Sequence, residues 1–281
     1  MYLAITGKET APDKAPFVLR GSYEFIINTA ADLGYDAVEL HIHDSAAINR
    51  GHIQHLLDKA GLRLSSIGTG TAYSEDKIFL SSDDPAIRDR AIARLEDHMD
   101  TAKDHSAVVI VGLVKGLIRD CSSRESCLRN LNASLARLVK KAEKDKVPLV
   151  FEVINRYESD FLNTIEEALD FLGPFDSEYL QLHLDTFHMN IEEASIPDSI
   201  RRARGKIGHC HIADSDRWHV GHGHYDFPAT IAALKEAGYT RALAVESFMF
   251  PDPVTSARAS LETLRHLIPR YNSAETAKTP V

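Results

Sequence analysis

The sequence predicts an α/β protein, a single closed (β/α)8 barrel, on three observations. Eight short apolar, β-branched runs recur along the 281 residues, helical patterns separate them, and no low-complexity linker breaks the alternation. The strand candidates are Tyr2–Thr6, Ala37–Ile42, Leu62–Ile67, Ala107–Leu113, Val147–Val153, Tyr179–Asp185, Lys206–Ile212 and Leu243–Ser247. Asp83 and Asp84 ahead of Pro85 mark a helix start, after which Ile87, Ala91, Leu95, Met99 and Ala102 share one face. Ala257, Leu261, Leu264 and Ile268 repeat that period near the end. An open doubly wound sheet is the rival, but no GxGxxG follows the first strand. The expected organisation is one catalytic barrel over 1–271 and a loose tail over 272–281, where the residues are small and polar.

Composition narrows the class of function. With 32 basic and 41 acidic side chains the formal charge is −9, a poor basis for gripping duplex phosphates, so no nucleic-acid partner is expected. No apolar run approaches the ~20 residues that span a bilayer, and the first residues lack the long apolar core of a secretion signal. Cys121, Cys127 and Cys210 have no CxxC spacing and are too few for a disulfide framework. The expectation is a reduced, cytoplasmic protein with no membrane partner.

In such a barrel the chemistry sits at the carboxyl ends of the strands. The fifth strand ends on Glu152, the sixth on His183-Leu184-Asp185, the seventh on His209-Cys210-His211, and the eighth carries Glu246. If Leu180, Leu182 and Leu184 face the helices, alternation turns His183 and Asp185 inward, and the same parity places Glu152, His211 and Glu246 inside. The four residues Glu152, Asp185, His211 and Glu246 are spaced by 33, 26 and 35 residues, each about one βα unit. Three converging carboxylates would repel unless a cation neutralised them. Three oxygens and one imidazole suit a divalent ion: Mn²⁺ first, with Mg²⁺ or Co²⁺ as alternatives. Singly, an Asp at a strand end reads as a helix cap and a barrel His as a hydrogen-bonded core residue. Convergence is what argues for ligands. Of the nearby loop residues, Arg156 and Arg217 each have a surface ion pair as the plain alternative to a role in the site, and His222 and His224 read as solvated.

The segments EVINRYESDFLNT from Glu152, LDTFHMNIEE from Leu184, HIADSDRW from His211 and GHGHYDF from Gly221 resemble the xylose-isomerase-like TIM-barrel family of sugar epimerases and isomerases. Within it they are similar to the ketose 3-epimerases of the D-tagatose and D-psicose type. Ile67-Gly68-Thr69-Gly70, Ile110-Val111-Gly112-Leu113, DTFHMNIEE and ADSDRW are closer still to the 5-keto-L-gluconate epimerases. The resemblance implies an isomerase in which Glu152, Asp185, His211 and Glu246 bind the metal and Glu152 and Glu246 double as the acid–base pair. It implies substrate contacts from Glu158, His188 and Arg217, and a homodimer or homotetramer. The first two strands match loosely, and no residue is carried over from them.

The implied reaction inverts the hydroxyl-bearing carbon beside the ketone of a free ketose or keto-uronate, through deprotonation to a metal-bound enediolate and reprotonation on the other face. An aldose–ketose isomerase on the same site is the alternative. A polyol dehydratase, an abasic-site endonuclease and a non-catalytic sugar-binding barrel rank lower. Lys8, Lys115 and Arg119 are available to a substrate carboxylate, but each reads more simply as a solvated charge.

Overall fold

In the computed structural model, which describes residues 1–69 and 71–268, eight parallel strands close into a ring. They are β1 (Tyr2–Lys8), β3 (Ala37–His41), β4 (Arg63–Gly68), β5 (Val108–Val111), β6 (Leu149–Glu152), β7 (Leu180–Asp185), β8 (Ile207–Ile212) and β9 (Ala242–Val245). Closure is direct, since β1 pairs with both β3 and β9, with Ile5 opposite Val38 on one side and Val245 on the other. The predicted barrel is the observed one. A two-residue strand, β2 (Leu19–Arg20), lies outside the ring and pairs with Gly7 and Lys8. Nothing in the sequence pattern announced it. The proposed tail over 272–281 falls outside the described residues.

Differences at the strand ends have local causes. The fourth run stops at Val111 because Gly112 leads into a 3₁₀ turn over Leu113–Lys115, whose last N–H is bonded to the Gly112 carbonyl. The fifth run begins at Leu149 because Pro148 has no N–H to give the ladder. Glu246 lies one residue past β9, though its N–H still reaches the Ile212 carbonyl at 3.2 Å.

Helices cover the outer face: α1 (Tyr23–Leu33), α2 (Arg50–Ala60), α3 (Pro85–His105), α4 (Arg124–Asp145), α5 (Ile165–Leu172), α6 (Thr186–Glu192), α7 (Ile196–Arg202), α8 (Phe227–Glu236) and α9 (Pro253–Leu267). Their starts are chemically marked. Asp84 caps α3 through the Ala86 N–H, and Thr164 and Glu167 form a reciprocal capping box on α5. Such caps are each worth about 1 kcal/mol. Leu180, Leu182 and Leu184 join the main apolar layer between strands and helices, as the alternation predicted. The opposite face of each strand fills the ring. Small residues, Ala4, Ala37, Ala242 and Ala244, line one side, and Val108, Ile110 and Val150 another. Polar Glu39, Ser66, His183, His209 and His211 occupy the rest, all buried. No helix among the described residues is long and apolar enough to cross a membrane.

Candidate active site

A cavity of about 350 Å³ opens at the carboxyl ends of the strands, and Glu152, Glu158, His188, His211, Arg217 and Glu246 line it. That is within the ~300–1,000 Å³ range of small-molecule sites. A larger well of about 560 Å³ lies at the opposite end, lined by residues such as Tyr2, Lys103, Asp145 and Arg241. The smaller one lies at the end where barrel enzymes act, and among the described residues it is there that the inward carboxylates Glu152 and Glu246 converge.

The ladder register sets the four candidate ligands. Asp185 stands opposite His211 across β7 and β8, and Glu152 opposite His183 across β6 and β7. Glu152, Asp185 and His211 each bring a donor atom within 4.8 Å of the other two. Glu246 Oε2 joins them 3.3 Å from His211 Nδ1. The two readings of Asp185 prove compatible. Its Oδ1 caps α6 by accepting from the Phe187 N–H at 2.7 Å, while Oδ2 is buried with no hydrogen-bond partner among the described residues. His211 Nδ1 is likewise buried, with carboxylate oxygens near it but no hydrogen-bond partner of good geometry among the described residues. Two orphaned buried atoms, turned to the same point beside two more carboxylates, fit a divalent cation, since buried polar atoms are otherwise nearly always satisfied.

The charges here hold one another. Burial would raise the Glu246 carboxyl, but the cations of His211 and Arg217 keep it below the usual carboxylate range. Asp185 is likewise held down, against its burial, by His188 and Arg217. His211 would be lowered by burial, yet Glu246 and Glu39 on either side lift it well above an ordinary imidazole. Without an ion, a proton on His211 balances the carboxylates.

The three expected substrate contacts converge on the same cavity. Arg217 is 6% exposed, donates to Glu246 Oε2, and places its Nη1 3.5 Å from Asp185 Oδ2. It holds φ of +61°, a left-handed backbone uncommon for a side-chain-bearing residue, in a turn secured by the Phe248 N–H on its carbonyl. His188 Nε2 lies 3.6 Å from Glu152 Oε1 and 3.8 Å from Asp185 Oδ2. Asn155 sets its tautomer. The amide oxygen of Asn155 accepts from the Tyr157 N–H, which turns the amide nitrogen toward His188 Nδ1 at 2.7 Å and Glu158 Oε1 at 3.0 Å. Nδ1 therefore accepts, and Nε2 carries the hydrogen that faces the cavity. Glu158 stands exposed at the rim.

Arg156 is a surface ion pair, forked onto Glu192. His222 is exposed, stacked on Trp218 and bonded to Asp216. Lys115 corrects the expectation of a solvated charge. It is fully buried, lies over the Phe151 and Phe161 rings, and donates to the Glu152 carbonyl at 3.0 Å. Burial lowers its pKa to about 8.

The sequence reading missed Glu39 and His41. His41 lines the cavity, with Nε2 2.7 Å from Glu39 Oε1 and 3.8 Å from Glu246 Oε1. The signal was present in Val38-Glu39-Leu40-His41-Ile42, where apolar and polar residues alternate strictly, and the loose match of this strand obscured it. Glu39, His41, His211 and Glu246 form a second close grouping, and His183, His209 and His211 a third. In the second, the ring Nε2 atoms of His41 and His211 already meet Glu39 at hydrogen-bond distance, so it is a bonded cage. In the third, His183 packs its ring edge-to-face against His211 at 4.1 Å.

Gly112 makes room for Glu152. A Cβ there would sit 2.6 Å from Glu152 Oε2. Gly112→Ala is expected to displace that carboxylate and lower kcat by about tenfold to a hundredfold, the scale of ~1 Å misplacements. Steady-state kinetics beside an unchanged circular dichroism spectrum would check it. Unchanged kcat would mean that Glu152 adjusts freely.

Comparison with known proteins agrees with this architecture. The family model for the xylose isomerase-like TIM barrel matches residues 27–267. An L-ribulose 3-epimerase of Mesorhizobium japonicum is 35% identical over 220 residues, 77% of this chain and 72% of that protein. A second L-ribulose 3-epimerase, from a Methylomonas species, is 32% identical over 223 residues, 78% of this chain and 76% of that one. Among solved structures, a D-allulose 3-epimerase from Methylomonas in complex with D-allulose superposes with a TM-score of 0.78 at 28% identity, covering 95% of this chain and 99% of that one. Epimerases are isomerases, as the sequence led one to expect. The chain belongs to the xylose isomerase-like TIM barrel family and stands within it among the ketose 3-epimerases.

Proposed function

We infer that the protein is a divalent-metal-dependent epimerase that inverts the hydroxyl-bearing carbon beside the ketone of a free ketose or keto-uronate. One observation carries the reading: Glu152 and Glu246 enter a sugar-sized cavity from the fifth and eighth strands of the ring, on either side of the unsatisfied Asp185 Oδ2 and His211 Nδ1. Evenly spaced strands at those positions stand about 135° apart, so the two carboxylates flank whatever lies between them. Glu152, Asp185, His211 and Glu246 would hold the cation, Mn²⁺ in the first instance, with Mg²⁺ or Co²⁺ also suited to the donor set. When bound, that ion supplies positive charge for the sugar oxygens as the carbon loses its proton.

The chain's own residues do the rest. One glutamate takes the proton from the carbon and the other returns one to the opposite face. Arg217 and the Nε2–H of His188 are donors for the carbonyl end of the sugar, and Glu158 at the rim accepts from a more distant hydroxyl. Pro16, Phe17, Leu113 and Ile154 give the cavity an apolar wall.

One feature keeps a keto-uronate within the reading. Lys8, at the carboxyl end of β1, is 4% exposed, and its hydrogen bond is to the neutral Thr71 hydroxyl, a cavity-lining group, at 3.3 Å. That ammonium could meet a terminal carboxylate. NMR in D₂O with a panel of free ketoses and keto-uronates tests the whole assignment. The expected outcome is an epimer labelled at the carbon next to the ketone. Deuterium on a neighbouring carbon with aldose formation would instead make it an isomerase, and loss of water a dehydratase.

A further inference from the structure

Beneath the four candidate ligands lies a group that the reaction itself does not require. Glu39, in the middle of β3, is fully buried and accepts four hydrogen bonds. His41 Nε2 at 2.7 Å and His211 Nε2 at 2.8 Å bond to Oε1. His209 Nε2 at 2.7 Å and Ser66 Oγ at 2.5 Å bond to Oε2. Three histidines from two strands thus point the same ring nitrogen at one carboxylate. An imidazole that donates from Nε2 presents Nδ1 as its lone pair. For His211 that nitrogen, once it gives up the proton it holds in the metal-free chain, is the lone pair offered to an ion, with Glu246 Oε2 at 3.3 Å and Asp185 Oδ2 at 3.9 Å around it.

We propose that Glu39 is the positioning residue of the metal site: it fixes the tautomer and ring plane of His211 so that Nδ1 meets the cation already aimed, and it also holds His41 through the Nε2 that lies 3.8 Å from Glu246 Oε1. The inference rests on the proposed function, since it presupposes an ion at Glu152, Asp185, His211 and Glu246. Glu39 itself stays off that ion, because both its oxygens are already spent on hydrogen bonds. An amide cannot take its place. A glutamine offers one acceptor oxygen and, where the second carboxylate oxygen stood, an N–H₂ facing N–H and O–H donors. Outer partners of ligating histidines carry about 10- to 100-fold in metal affinity.

The test is titration calorimetry of Mn²⁺ into metal-free wild-type protein, Glu39→Gln and Glu39→Asp, with the visible spectrum of Co²⁺ as a second readout. Glu39→Gln should raise the Mn²⁺ dissociation constant about 10- to 100-fold and alter the Co²⁺ bands. The KM for the sugar at saturating metal should change little, and Glu39→Asp, which keeps the charge, should recover part of the loss. A folded Glu39→Gln with the wild-type dissociation constant and spectrum would overturn the positioning role alone. If Glu39→Gln does not fold, Glu39→Asp decides on the same criteria. If neither folds, Glu39 is structural and the proposal falls. A wild-type chain that takes up no Mn²⁺ would remove the proposed function with it, a result distinct from equal binding by wild type and variant.

Discussion

Glu246→Gln and Glu152→Gln are each expected to keep the barrel and to lose at least ~100-fold in kcat, the scale of removing a general acid or base. Glutamine keeps the volume and one accepting oxygen, so the Arg217 contact at position 246 can persist while the basicity is gone. The electrostatic cost is not zero. Arg217 and His211 lose a buried partner, and the melting temperature of Glu246→Gln should fall, while far-UV circular dichroism stays unchanged. Two bases on opposite faces give a further signature. A variant lacking one glutamate retains the other, so one of the two epimers should still exchange its carbon-bound hydrogen with D₂O without turning over. Near-normal epimerisation by either variant, or loss of exchange from both epimers in both variants, would rule out the two-carboxylate mechanism.

Chelation is expected to abolish activity, and Mn²⁺ or Co²⁺ to restore it. The loss should be complete, because Arg217 and a protonated His211 balance the resting carboxylates Glu152, Asp185 and Glu246 but leave no cation for the charge that develops on the enolising sugar. Binding should also stabilise the fold. At an ion concentration a hundred times the dissociation constant, the increment is about 2.7 kcal/mol. The pH dependence has a definite sign. In the metal-free chain the His211 pKa is raised, so the ion must displace a proton, and apparent affinity should rise with pH until that proton is gone. Calorimetry in two buffers of different ionisation enthalpy would count the proton released. Full activity after verified metal stripping, or binding without proton release below pH 7, would contradict this account of the site.

How much was legible in the sequence follows from which forces place each residue. Strand alternation is local, so the inward parity of Glu152, Asp185 and His211 could be read from the chain, and the helix faces with them. Glu246 was legible by parity even though the ladder ends before it. Glu39 and His41 carried the same alternation but were passed over, because their strand offers no familiar run of residues. Lys115 was not legible at all. A lysine in a loop ordinarily reads as solvated, and only the meeting of Phe151 on β6 with Phe161 in the following loop creates the apolar box around it. Asn155 is a similar case, since its importance comes from a histidine 33 residues away that the sequence pattern does not connect to it.

Asp185 divides its two oxygens between unlike tasks, and this bears on how the chain can drift over generations. Asparagine would serve the first turn of α6 almost as well, because it caps helices with similar strength, but it would forfeit the charge in the cavity. Glutamate would keep the charge but, one carbon longer, would lose the short reach to the Phe187 N–H. Neither neighbour in chemical space answers both demands, so selection for folding and selection for turnover bear on the same three heavy atoms. At this position the architecture and the chemistry cannot evolve apart.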